Sequence, residues 1–301
     1  HTGMWTQTVQ RATWSHRYDS HTDARNGHTW AEGMVDAWFL TGDVRVMDAA
    51  IGLGEHITWA MAPRFSRLGT HERSAGWSLV AIMALYRATL DPLYLEAAQR
   101  IASVALREQK LDEGGAWPHT LPRDHAGGHH GARGNNLFLI GVLLGGLAEY
   151  HAVTQDPEVE KAILSGARWM LKSWDEAAAG WPYSAATDGT PFYAAKTGLN
   201  TLVAPAIAYA GWVAQDAQMM DVVATGLEAA ALGGRATMGK SLAQKLVFSS
   251  RALGRLQMWC AKSRDDNGAS LLDGSSRVRY FLRTPEAAQF RIRSPVEKVF
   301  H

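Results

Sequence analysis

Four times in this chain an apolar segment ends in a short turn built around an aspartate. The turns are Leu40-Thr41-Gly42-Asp43, Thr89-Leu90-Asp91-Pro92, Thr154-Gln155-Asp156-Pro157 and Ala214-Gln215-Asp216-Ala217. Asp is a strong N-cap because its carboxylate accepts an orphan N–H of the first turn. Pro92 and Pro157 suit the first helical position, where no N–H is needed. Each turn therefore predicts a new helix, over roughly 44–60, 92–109, 157–174 and 217–231. In these second helices Ile101, Val104 and Ala105, or Ile163, Ala167, Met170 and Leu171, recur at helical spacing. They read as amphipathic outer helices.

The segments before the turns differ. Leu137 to Tyr150 is apolar almost all round, and so is Leu199 to Val213 despite Pro205. Helices of that kind are buried on several sides. An inner ring of buried helices inside an outer ring of amphipathic ones is an all-α, α/α toroid. Five helix pairs, with Met4 to Trp14 as a further segment, approach a six-hairpin ring that is incomplete or irregularly closed. A toroid is expected over 1–265. The helical period fades after about Asp265, and Arg277 to Phe281 and Gln289 to Arg293 read as short strands. Residues 266–301 are therefore expected to be an extension that starts a small β domain.

The loops back to the inner helices also repeat. Gly114-Gly115-Ala116-Trp117-Pro118-His119 follows one outer helix and Gly180-Trp181-Pro182-Tyr183 the next, at nearly the same distance from the Asp cap. Thr-Gly-Asp or Thr-Xaa-Asp-Pro turns with Gly-Xaa-Trp-Pro return loops resemble the six-hairpin glycosidase-like superfamily. The resemblance is strongest in Gly27-His28-Thr29-Trp30-Ala31-Glu32-Gly33 followed by Phe39-Leu40-Thr41-Gly42-Asp43, and as a repeat pattern it covers about 20–260. It implies carbohydrate chemistry shared among glycoside hydrolases, polysaccharide lyases and sugar epimerases, but no single reaction.

A basic or imidazole side chain stands before each of five apolar segments: His28, Arg73, Arg133, Lys196 and Lys240. In a toroid these positions and five helix N-termini converge on one mouth. Each N-terminus carries about half a positive charge and favours anions, so the mouth is expected to take an acidic polysaccharide or oligosaccharide. The net charge of +1 offers no global case for nucleic acid. The apolar runs 137–148 and 202–214 fall short of the ~20 residues that span a bilayer, so no membrane partner is expected. Cys260 stands alone, which excludes an intrachain disulfide and a thiolate zinc site. No signal peptide is visible at His1, and a secreted or periplasmic location is the expectation if one was removed.

Three chemistries compete at the mouth. Elimination from a uronic acid needs cations or amides to neutralise the carboxylate and a base at the α-proton. Arg133 and Asn135 suit the first role, with His21, His28 and Tyr18 as acid or base. Arg73, Trp117, His129, His130, Trp181, Tyr183, Lys196 and Asn200 are expected to bind the sugar, the two Trp-Pro indoles by stacking. Hydrolysis needs two carboxyl groups about 5–9.5 Å apart, and the mouth offers Glu32, Glu72, Asp124 and Asp188 without a convincing pair. Metal binding by His125, His129 and His130 is the third reading. The glycines between these histidines orient them poorly, and neither a metal nor a cofactor is expected. A non-catalytic binding repeat remains the reading outside enzymes. The excess of His, Arg and Asn over Asp and Glu favours the lyase.

Overall fold

The computed structural model describes residues 30–122, 129–233 and 240–267. Among these, the inner helices are α1 (Glu32–Thr41), α3 (Glu72–Thr89), α5 (Leu137–Thr154), α7 (Asn200–Ala214) and α9 (Lys240–Asn267). The outer helices are α2 (Val44–Glu55), α4 (Pro92–Glu108), α6 (Pro157–Leu171) and α8 (Ala217–Leu232). A π-helical turn, His56–Met61, prolongs α2. Inner helices pack in sequence, α3 on α5, α5 on α7 and α7 on α9, while each outer helix packs on its own partner. The all-α toroid read from the repeats is the observed architecture, and the outer-helix spans match those expected to within a turn. The helix α9 runs to Asn267, so helical structure continues slightly past residue 265. The segments Met4 to Trp14, Arg277 to Phe281 and Gln289 to Arg293 lie outside the described residues.

The recurrent turn has a local cause. Asp43, Asp91, Asp156 and Asp216 each accept a backbone N–H of the following first turn. The threonine two residues earlier completes the unit. Thr41, Thr89 and Thr154 donate their hydroxyls to the carbonyls of Ala37, Leu85 and Tyr150, four residues back. The same hydroxyls accept the N–H groups of Asp43, Asp91 and Asp156. One Thr and one Asp thus satisfy groups at the end of one helix and the start of the next. The residue between them is left-handed: Gly42, Leu90, Gln155 and Gln215 have φ of 70, 59, 53 and 53°. Ala214 replaces the threonine in the fourth turn, and there the N–H of Asp216 goes to the carbonyl of Gly211.

Glycines set how closely the inner helices approach. A Cβ on Gly76 of α3 would stand 2.3 Å from the carbonyl oxygen of Val142 on α5, and one on Gly146 would stand 2.5 Å from that of Gly76. Across the next interface, a Cβ on Gly141 would meet the Leu202 carbonyl of α7 at 2.8 Å. The three helices therefore pack backbone to backbone. Although α5 is long and apolar enough to cross a membrane by length and composition, 72% of it is buried in the protein.

Charges tie the ring together. Arg87 of α3 pairs with Glu149 of α5 at 2.8 Å. Arg251 of α9 lies 3.7 Å from Glu149 and pairs with Glu32 of α1. The last inner helix is thereby joined to the first. Burial disfavours the Arg251 charge, but Glu32, Glu149 and Asp36 outweigh it and raise its pKa.

Two adjacent glycines of α5 should respond in opposite directions. Gly145 has nothing within 4 Å of a Cβ, whereas Gly146 abuts Gly76. Gly145→Ala should stabilise by about 0.5–1 kcal/mol through helix propensity. Gly146→Ala should destabilise by about 2–3 kcal/mol through overpacking against backbone. Urea midpoints at unchanged slope measure both.

Candidate functional site

Short strands carry the chain from outer helix to inner helix. Among the described residues, β1 (His119–Thr120), β2 (Arg133–Asn136) and β4 (Ser184–Ala186) form an antiparallel sheet in the order β1-β2-β4. A second pair joins β3 (Trp181–Pro182) to β5 (Ala195–Lys196). The repeated Trp-Pro anchors these loops. The indole N–H of Trp117 donates to the carbonyl of Ala105 in the last turn of α4, at 2.8 Å. That of Trp181 donates to Met170 in the last turn of α6, at 3.1 Å. Trp117 is 2% exposed and Trp181 0%. The expected stacking of sugar on these two indoles is therefore corrected: both rings are core, and each fastens a return loop to a helix end.

The polar centre of the mouth is a buried trio. Glu72 opens α3 and is fully buried. Its Oε1 lies 3.1 Å from Nδ1 of His119 and accepts the Asn135 side-chain amide at 3.2 Å. The Asn135 amide also donates to the Trp117 carbonyl at 2.6 Å, while its oxygen accepts the Trp117 N–H at 3.2 Å. Oε2 of Glu72 is buried with no hydrogen-bond partner among the described residues. The His119 side chain is 10% exposed. Burial works against its charged form, yet the hydrogen bond and charge of Glu72, aided by the Trp117 backbone, more than offset this and raise its pKa above 6.5. With Nδ1 held by a carboxylate, Nε2 is the nitrogen left to exchange a proton with a ligand.

Asn135 thus sits at the mouth but does not face a ligand freely; its amide braces Glu72 and Trp117. Arg133 is 56% exposed and pairs with Glu113 at 3.1 Å, so its charge is already shared. Arg73, half-buried, follows Glu72 in the first turn of α3. Lys196 is exposed on β5. Asn200 is buried and donates to the carbonyls of Ala179 and Gly226 at 2.8 and 2.9 Å, a structural tie between a return loop and α8. His129 and His130 are exposed. The ring of His129 stacks on Phe192 at 4.9 Å and meets Tyr193 edge-on at 5.0 Å. Tyr18, His21 and His28 lie outside the described residues, as do Asp124 and His125. Among the described residues, no three His, Cys, Asp or Glu side chains gather as a metal site would require.

The other carboxylates weighed for hydrolysis have partners elsewhere. Glu32 is held by Arg251, and the Asp188 carboxylate accepts the N–H of Thr190 at 2.8 Å, which lowers its pKa. Next along the inner helices comes an apolar layer separate from the main core, made of Trp77, Val80, Phe138, Leu139, Val142 and Leu202, with Trp30, Tyr183, Leu199 and Phe248 packed against it. Trp77 stacks on Phe248 at 5.0 Å, and Phe138 meets Tyr183 at 5.0 Å with the rings tilted by 45°. Tyr183 is half-buried at the edge of this layer. Sequence reasoning placed Glu72 and His119 at the mouth and missed their pairing. The signals were there: Glu72 immediately precedes Arg73 at an inner-helix start, and His119 follows a Trp-Pro.

No family model and no curated protein matches the chain. Solved structures do. One is unsaturated glucuronyl hydrolase from Bacillus sp. GL1, described as responsible for the degradation of glycosaminoglycan; it is 12% identical, with a TM-score of 0.57 over 86% of this chain and 77% of that one. A second, described as UGL_D88N with dGlcA-Glc-Rha-Glc, agrees to the same extent. The chain therefore has the fold of the six-hairpin glycosidase-like α/α toroids.

The Glu72–His119 pair gives stability a pH dependence of known sign. A histidine with a raised folded-state pKa stabilises fully below its unfolded pKa, and that contribution fades as pH rises through the folded value. Relative to His119→Gln, the wild type should lose stability between about pH 6 and pH 8. Urea midpoints taken across that range would show the difference, and parallel curves would exclude the ion pair.

Proposed function

We propose that this chain is a carbohydrate-active enzyme that acts on a uronic-acid-containing oligosaccharide by β-elimination, with His119 as the acid/base. The observation that carries this is the buried Glu72–His119 pair at the mouth of a toroid whose structural neighbours are described as responsible for the degradation of glycosaminoglycan and as UGL_D88N with dGlcA-Glc-Rha-Glc. Nε2 of His119 takes the proton α to the sugar carboxylate. The C–H electrons become the C4–C5 double bond, the C4–O bond breaks, and the leaving oxygen gains a proton from the imidazolium. Arg73, in the same helical turn as Glu72, is the neutralising cation of this reading. Tyr209, the phenol over which Arg255 sits at 4.8 Å, is a poor base, because burial pushes its pKa up to about 12.

The neighbours' description as hydrolases supports a second reading, in which Glu72 works as a carboxylic acid on an unsaturated glucuronide. Ultraviolet absorbance of the conjugated unsaturated uronate separates the two by sign. Elimination from a saturated uronide raises it, hydrolysis of an unsaturated one lowers it, and a binding module changes neither. Under the elimination reading His119→Asn should cost about 10²–10⁴-fold in turnover, the range of general acid–base catalysis. Arg133→Ala should cost far less, since that cation is exposed and bound to Glu113. An active His119→Asn variant would sink the assignment.

A further inference from the structure

The return loops carry one aromatic group whose outermost ring is exposed. Phe192 and Tyr193 belong to neither buried apolar cluster of the described residues, yet both lie half-buried in the loop between β4 and β5. The loop is well fixed. The N–H of Phe192 donates to the Ser184 carbonyl at 3.0 Å, and Pro191 bridges to Ala185. The ring lies on the backbone of β2, where its Cε2 would be 3.1 Å from a Cβ on Gly134. Gly134 is the cross-strand partner of His119, so the stack and His119 are carried on adjacent strands. The stack of Phe192 and His129 is thus built one strand away from the acid/base of the proposed reaction. Its outermost ring, His129, is exposed.

We propose that Phe192, His129 and Tyr193 form a subsite for a sugar unit beyond the disaccharide that carries the uronate held at His119. This rests on the reading of the chain as an enzyme acting on uronate oligosaccharides. A pyranose presents a face of C–H bonds that packs on the negative face of an aromatic ring. The imidazole also supplies an N–H for a sugar hydroxyl or carboxylate. Nearby charge suits an acidic chain: Arg133 is exposed next to Gly134. Glu113 on Arg133 and Asp188 in the same loop oppose this, which is why the rings rather than the charges are assigned the binding.

The test uses di-, tetra- and hexasaccharides of chondroitin with the uronate at the reducing end, so that every uronate carries a glycosyl group on C4, with KM and kcat read from the new reducing ends that elimination releases. In the wild type KM should fall about tenfold from di- to tetrasaccharide, equivalent to ~1.4 kcal/mol, while kcat holds. His129→Ala should abolish most of that gain and leave the disaccharide KM unchanged within about twofold. Phe192→Leu, which keeps bulk on Gly134, should also lose it, and His129→Phe should retain it. A KM independent of length in the wild type, or one weakened equally for every length in His129→Ala, overturns the subsite and leaves the enzyme reading standing. Absence of turnover on every oligosaccharide overturns both.

Discussion

The backbone contact between inner helices at Gly76 and Gly146 is the constraint from which the rest of the architecture follows. Carbonyl oxygens of α3 and α5 stand where a Cβ would otherwise be, so the two helices approach more closely than side chains permit. Gly141 repeats this between α5 and α7. Helices α3, α5 and α7 are thereby drawn together, and the strands β1, β2 and β4 in the loops before α5 and α7 pair in one sheet.

Around that ring, loops are held by single side chains rather than by extended sheet. Trp117 and Trp181 each plug a return loop into the end of the outer helix before it. Asn135 takes both backbone groups of Trp117 and passes the constraint on to Glu72. A fully buried carboxylate is costly unless it is paired and hydrogen-bonded. Glu72 obtains Asn135 and His119 on one oxygen only, and in holding them it orients the imidazole that we propose as the acid/base group. Structural and chemical roles therefore lie side by side: the tryptophans position the loop, the asparagine positions the glutamate, and the glutamate fixes the imidazole.

Charge closes the ring. Arg251 bridges α9 to Glu32 of α1 and to Glu149 of α5, and Arg87 shares Glu149. The apolar layer of Trp77, Phe138, Leu202 and Phe248 is a second, smaller cluster apart from the main core. Removing one partner of such a buried pair costs more than removing both, so the network favours ring closure in one register.

Much of the fold was legible in the residues themselves. Each Asp cap, each Thr two residues before it and each apolar or amphipathic period acts within a turn or two of chain, so Asp43, Asp91, Asp156 and Asp216 mark hairpins without reference to anything distant. The Trp-Pro repeat was legible as a repeat, but its purpose was not: whether an indole faces a sugar or a helix end depends on Ala105 and Met170, which only the packed loop brings within reach. The same holds for the charges. Arg133 reads as a free cation until Glu113 is seen beside it, and Glu32 as a mouth carboxylate until Arg251 arrives from the other side of the ring. Partner choice between residues far apart in sequence is settled by where the helices stand, and that spacing is set by glycine contacts with no local signature. The sequence alone determined helix boundaries, hairpin order and the mouth as the site of polar residues; tertiary structure decided which of those residues are buried, paired and poised.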